Sequence, residues 1–342
     1  MNRNLLLAIV SFTAVAIGLA LFVGTGFLVG FSTQSAQYRI IDLGVGETPT
    51  CAVSINDSGQ ILLWETRHVD HVITYGEQPM EMRAWVREPD GTLREIPGLG
   101  GKWVHPREIN SRGAVIGEAE TPDGKPHGFI WEGTGEPKDL GELGFDLPYA
   151  EIHCWDDSGR FGGMYYQPQN RSGQKVFSTV PRVWDAEGGV AVEFKNGDCV
   201  VDLNNEGSAL IDHGSSFEGQ IVSASGEETS LGGFAHQGSR PRGMNDRGEV
   251  VGYSSITSTL QGTLDGIWGA IKNRRASIQW DERPHAFLWK GGDMVDLNAL
   301  IGSNEGWELI WAFAINNQGE IVGGGRKDGK VRAFLLKPIQ EK

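Results

Sequence analysis

Basic residues are scarce in this 342-residue chain: 30 Lys and Arg stand against 44 Asp and Glu, a formal net charge of −14. A surface this acidic repels phosphate backbones, so no nucleic-acid partner is expected. Cysteine is scarcer still, with Cys51, Cys154 and Cys199 an odd set of three. That excludes a disulfide scaffold, and the fold must stand on its own core. Hydrophobic residues, at 39%, suffice for one and exclude wholesale disorder. The sequence has no nucleophile elbow, phosphate loop, zinc-protease helix or dinucleotide fingerprint, so no cofactor is expected and catalysis has no marked residues. Carboxylates are plentiful, yet no two stand out as a glycosidase-like pair.

Glycine, in contrast, is abundant, at 49 residues. Frequent glycine without low complexity means many tight turns and short strands, and excludes a mostly helical protein. The first 37 residues are a different material. Residues 1–4 are short and basic, and residues 5–31 then run without a charge, rich in Leu, Val, Ala, Phe and Gly. At 1.5 Å per residue such a run spans about 40 Å as a helix, against about 30 Å of hydrocarbon. It is longer than the roughly 7–15 apolar residues of a cleaved signal peptide. The expectation is an uncleaved transmembrane signal anchor over residues 5–31 and a linker over 32–37. Arg3 on the short side places the body outside the cytoplasm, membrane-tethered; secretion after cleavage is the alternative.

An internal repeat organises the remainder. An apolar residue, Asn or Asp, two variable positions and Gly recur in six copies. They are Ile55-Asn-Asp-Ser-Gly59, Ile109-Asn-Ser-Arg-Gly113, Trp155-Asp-Asp-Ser-Gly159, Leu203-Asn-Asn-Glu-Gly207, Met244-Asn-Asp-Arg-Gly248 and Ile315-Asn-Asn-Gln-Gly319, spaced by 54, 46, 48, 41 and 71 residues. Four of these spacings match the roughly 40–50 residues of a four-stranded propeller blade. Asn or Asp starts a tight turn through its own side chain, and the glycine supplies a left-handed residue. Each turn offers too few carboxylates for a calcium loop. Upstream of each turn lies a hairpin, such as His285-Ala-Phe-Leu-Trp289 leading through Gly291-Gly292 to Met294. Each unit therefore reads as four strands, two before the turn-flanking pair. The body opens on Tyr38-Arg-Ile-Ile-Asp-Leu43, a second strand without a first, and closes on Val331-Arg-Ala-Phe-Leu-Leu336, a first strand without a second. The economical reading is an all-β six-bladed β-propeller over residues 38–338, with the C-terminal strand closing the first blade and a tail over 339–342. An open solenoid would leave unpaired edges.

At these residues the chain resembles the HAF-repeat family of probable extracellular bacterial proteins. That family is named for a His-Ala-Phe strand and carries Ile-Asn-x-x-Gly-x-Val-Val-Gly and Asp-Leu-Gly segments. Here His285-Ala-Phe287 matches literally, His127-Gly-Phe129 and Arg332-Ala-Phe334 closely, and Asp42-Leu-Gly44 and Asp139-Leu-Gly141 fit the last segment. The third and fourth units are degenerate, with Trp155-Asp and Leu203-Asn in place of Ile-Asn. The resemblance implies an extracytoplasmic repeat protein and supplies no catalytic residue.

In a four-stranded meander the short glycine turns fall on one face and the longer, variable connections on the other. Binding residues concentrate on irregular loops held by a rigid scaffold, which points to the variable face. Trp103, His105, Phe145, Tyr149, His236, Trp307 and Trp311 are its candidate ligand-stacking residues. Within residues 254–284, Leu264, Ile267, Trp268 and Ile271 share one helical face, with Arg274 and Arg275 following, a candidate partner-binding or membrane-facing insertion. His68 and His71 beside Glu65 are weak metal candidates, and solvated side chains are expected there. Trp85, Trp131, Trp184 and Trp289 recur at one strand position, as packing between blades requires. The function expected is a binding module for a protein, peptide or glycan; a cell-envelope hydrolase or lyase working at the central opening is the alternative.

Overall fold

The computed structural model describes residues 36–44, 50–66, 82–142, 150–171, 174–214, 219–234, 238–256, 284–302 and 306–339. Twenty-four strands form six four-stranded antiparallel sheets. The first strand, β1 (Tyr38–Asp42), is set apart from the next in the chain. Blade 1 holds β2 (Thr50–Ile55), β3 (Ile61–Thr66), β4 (Met82–Arg87) and β5 (Leu93–Glu95). Blade 2 holds β6 (Val104–Ile109), β7 (Val115–Glu120), β8 (Pro126–Trp131) and β9 (Lys138–Glu142). Blade 3 holds β10 (Ala150–Trp155), β11 (Phe161–Arg171), β12 (Gln174–Trp184) and β13 (Val190–Glu193). Blade 4 holds β14 (Cys199–Leu203), β15 (Ala209–Asp212), β16 (Gly219–Val222) and β17 (Glu228–Ser230). Blade 5 holds β18 (Ser239–Met244), β19 (Val250–Ser255), β20 (Pro284–Lys290) and β21 (Asp293–Asp296). Blade 6 holds β22 (Trp307–Ile315), β23 (Ile321–Lys327), β24 (Lys330–Pro338) and, outermost, β1.

The chain is a six-bladed β-propeller. Its first strand, β1, pairs with its last, β24, Ile40 opposite Leu336 and Asp42 opposite Phe334. The grouping differs from the repeat as read along the sequence. The seam blade takes three strands from the C-terminus and one from the N-terminus, because every sheet starts with the strand before the Asn-containing turn. The innermost strands β2, β6, β10, β14, β18 and β22 touch their neighbours around one hub.

Three recurring devices explain the motifs. In the first turn, the Asn56 side-chain oxygen accepts from the amides of Ser58 and Gln60 while Gly59 takes a positive φ of 78°. The same geometry returns at Asn110, Asp156, Asn245 and Asn316. The second device couples the Val-Gly run to the His-Ala-Phe strand. Gly117, Gly252 and Gly323 pair with Phe129, Phe287 and Phe334, all three rings fully buried. A Cβ at 252 or 323 would strike the ring at 2.9 or 2.7 Å and also the inner strand's carbonyl, so only glycine lets the ring lie flat. The third device ties the two outer strands of each blade. His127 meets Asp139 at 2.9 Å, His285 meets Asp296 at 2.6 Å, and Arg332 meets Asp42 at 3.1 Å. Arg83–Glu95 takes the same place in blade 1, whereas Arg182–Glu193 and Gln220–Glu228 tie the outer strands of blades 3 and 4 from the position that Phe129 holds in blade 2. The Asp of Asp-Leu-Gly also accepts from the amide two residues on, at Gly44 and Gly141.

Trp85, Trp131, Trp184 and Trp289 are buried in the blade cores. All three cysteines are unpaired. Residues 1–35 lie outside the described residues, so the anchor does too; among the described residues no helix is long and apolar enough to cross a membrane.

Candidate functional site

Each innermost strand runs from the loop face to the turn face, and the two ends of the hub have different chemistry. At the turn face the six turns surround a cavity of about 100 Å³. The residue after each Asn or Asp links its turn to the next. Asp157, Asn205, Asp246, Asn317 and Asp57 accept, in order, from the backbone amides of Ser111, Asp157, Asn205, Asp246 and Asn317, at 2.8–3.2 Å. Beneath this collar the Asn amides reach neighbouring turns: Asn56 donates to the Asn110 carbonyl, Asn204 to Asn245, Asn245 to Asn316 and Asn316 to Asn56. The lower circle breaks at blade 3, where Asp156 cannot donate and the Asn110 amide nitrogen is buried without a partner. Two half-buried carboxylates brace the same region. Glu108 accepts from the Trp155 amide and Asp202 from that of Met244. Burial first, then the charge of Asp202, pushes the Glu108 carboxyl well above its ordinary range. Burial brings Asp202 up to about 7.

The loop-face mouth is assembled differently. Every inner strand carries a β-bulge shortly before its turn, with register shifts at Ala52/Ser54, Pro106/Glu108, Ile152/Cys154, Val200/Asp202, Pro241/Gly243 and Ala312/Ala314. The extra residue at each is Val53, Arg107, His153, Val201, Arg242 or Phe313. A bulge re-aims the side chain it carries, and here it presents a different one from each blade. Two residues nearer the loop face stand Cys51, His105, Glu151, Cys199, Arg240 and Trp311.

Around these positions the side chains form two charged clusters. Arg107 lies 3.3 Å from Glu118 and 3.6 Å from Glu151. The Tyr166 hydroxyl donates to Glu151 at 2.8 Å. His153 Nε2 stands 3.3 Å from Glu151 Oε1 without hydrogen-bond alignment. Across blades 4 and 5, Asp212 meets Arg242 at 3.0 Å and Arg240 at 3.4 Å, and Arg242 donates to the Tyr253 hydroxyl at 3.2 Å. On the remaining arc, blades 6 and 1 contribute Trp311, Phe313 and Trp64, the last edge-on to His105 with ring centroids 6.1 Å apart. Burial, with the charges of Arg107 and His153, lowers His105 to about 3, and burial likewise lowers His153, so both imidazoles are neutral near pH 7. Burial raises Glu151, but His153, Arg107 and Tyr166 outweigh it and bring the carboxyl down to about 2. Burial raises Cys51 to about 12 and Cys199 in the same direction, so neither thiol ionises near neutral pH.

Of the residues singled out in the sequence, His105 and Trp311 hold equivalent positions on the inner strands of blades 2 and 6. Trp103 and Trp307 are buried, the latter against Phe334 with centroids 6.2 Å apart. Phe145, Tyr149, His236, His68, His71 and the insertion with Ile267, Trp268, Arg274 and Arg275 lie outside the described residues. Among the described residues no group of three His, Cys, Asp or Glu is placed to hold a metal ion. Arg107, Glu151, His153, Arg240 and Arg242 were not legible as site residues. Their one signal is charge at strand positions that blades 1 and 6 give to Cys51, Val53, Trp311 and Phe313.

No family model and no curated protein matches the chain. Among solved structures, it is similar to the β-propeller domain of the Trilobed protease from Pyrococcus furiosus, at 12% identity over 87% of this chain and 85% of that one, with a TM-score of 0.42. A structural-genomics protein of unknown function from Bacteroides thetaiotaomicron gives 9%, 88%, 76% and 0.48 for the same quantities. Virginiamycin B lyase from Staphylococcus aureus gives 14%, 89%, 100% and 0.44. These are likenesses of fold; the class of protein, a six-bladed β-propeller, rests on the strand pairing above.

Proposed function

We propose that this chain is a binding propeller that receives its ligand at the loop-face mouth of the hub. One observation carries the reading: the blades repeat one another in their turns, three of them also in a buried Phe on a glycine, and differ where the bulged inner strands meet. A scaffold that needs only to close has no use for three guanidinium groups, two neutral imidazoles and three aromatic rings gathered there. The likeness to HAF-repeat proteins and the uncharged run at residues 5–31 support a tethered, extracytoplasmic setting, with a protein, peptide or glycan as the class of partner.

The test uses the full chain with a photo-crosslinking residue placed either at Trp311 in the mouth or at Ser111 on the collar. Glycan and peptide mixtures should be captured from position 311 and not from 111; capture from 111 alone refutes the site. The Glu151–His153–Tyr166 grouping favours a second reading, a hydrolase or lyase, since a neutral imidazole beside an ionised carboxylate suits proton transfer. Turnover of a captured ligand that disappears in Glu151→Gln would establish it.

A further inference from the structure

We infer that the ligand of the mouth is a neutral, hydroxyl-rich ring compound, a saccharide without acidic groups, an inference that rests on the mouth being the binding site. Charge is the first reason. The polar arc sets Arg107, Arg240 and Arg242 against Glu118, Glu151 and Asp212, and every one of these groups already has an opposite charge within 3.6 Å. The imidazoles of His105 and His153 add no charge. An ionic ligand would have to break these pairs, several of them held in half-buried surroundings where an abandoned partner is costly.

Hydrogen-bond chemistry is the second. A guanidinium beside a carboxylate offers donors and acceptors side by side, and a hydroxyl both donates and accepts. Vicinal hydroxyls can therefore bridge such a pair without disturbing it, whereas a purely accepting or purely donating ligand uses one side only. The Tyr166 and Tyr253 hydroxyls, each bonded to a member of a pair, extend this mixed surface.

Shape is the third. The opposite arc is aromatic, and Trp311 packs against the bare backbone of Gly324: a Cβ there would lie 3.3 Å from the indole and 3.2 Å from the Cys51 sulfur. A ligand spanning the mouth thus meets aromatic side chains on one side and ion pairs on the other. A sugar ring, with an apolar C–H face and a hydroxyl rim, has the matching division.

The experiment is an array of neutral oligosaccharides, uronate-containing oligosaccharides and short peptides, probed with the full chain and with Trp311→Ala, Trp311→Phe and Glu118→Gln. Neutral saccharides are expected to bind, with affinity falling about tenfold or more in Trp311→Ala and recovering in Trp311→Phe. Glu118→Gln leaves the arc with a surplus positive charge and should shift preference toward uronates, a change that a merely structural role would not produce. Binding of peptides or uronates by the unaltered chain, lost in Trp311→Ala, would overturn the saccharide and leave the mouth standing. Saccharide binding indifferent to all three variants would overturn both. No binding of any neutral saccharide would overturn the inference.

Discussion

The two ends of the hub are built on the same six strands, yet they obey opposite rules. At the turn face a residue type that recurs in the sequence makes the same bond in nearly every blade, and the result is a collar joining each turn to the next. At the loop face, a few residues along each strand, recurrence stops: Val53, Arg107, His153, Val201, Arg242 and Phe313 share a position and little else. Repetition marks what closes the ring, and its loss marks what the ring presents. The bulge separates the two regimes, since it takes one residue out of the pairing that holds its neighbours.

The sharpest way to break this contrast is to attack the repeated machinery. Phe334→Ala removes a fully buried ring from the seam blade and should cost about 3–5 kcal/mol, read as a fall in the denaturation midpoint. A smaller loss would mean that the seam contributes less to closure than the other blades. Next comes the collar. Asn316 donates to Asn56 across the seam and accepts from two amides of its own turn, so Asn316→Ala should cost about 1–3 kcal/mol by urea unfolding.

The half-buried carboxylates give a prediction with a sign. Glu108 has its pKa raised, so its contribution is favourable below the ordinary carboxylate range and is lost as pH climbs through the raised value. Glu108→Gln mimics the protonated form. Its Tm should match the parent's at about pH 5 and exceed it at about pH 9 by roughly 2–4 °C. Equal Tm values at both would show that Asp202 and Glu108 do not strain the hub.

The fourth prediction adds a bond. Ser111 is the one collar residue whose side chain does not accept from the adjacent turn, donating instead to Asp157 at 2.7 Å. Ser111→Asn places there the group that Asn205 and Asn317 use, and should stabilise the chain by about 0.5–1.5 kcal/mol. The smallest effect belongs to the mouth. His153→Ala removes a half-buried imidazole and should cost no more than about 1 kcal/mol while abolishing or weakening capture at position 311. A large loss of stability there would return His153 to the structural side of the comparison.

Much of the fold was legible because its devices are local. An Asn followed three residues later by Gly dictates its turn whatever the surroundings, and a Val-Val-Gly run calls for a ring to lie on the glycine. Where the turn starts at Asp156, and where Arg182 and Gln220 rather than a ring pair with Gly163 and Ile211, the signal thins without the blade being lost. The grouping of strands into sheets was not legible, because a repeat has a period and no origin; the pairing of β24 with β23 and the start of a new sheet at β2 fixed it. The site was legible only in His105 and Trp311. Period-two alternation gives a bulged residue the wrong side of its strand, so Arg107, His153 and Arg242 were hidden by the irregularity that makes them useful.

The seam has a practical reach beyond closure. Tyr38 and Pro338 pair with each other, the Ile339 amide donates to the Gln37 carbonyl, and Pro338 lies beside the Gly319 turn. Both ends of the propeller body therefore leave side by side from the collar side, the far end of the axis from the mouth.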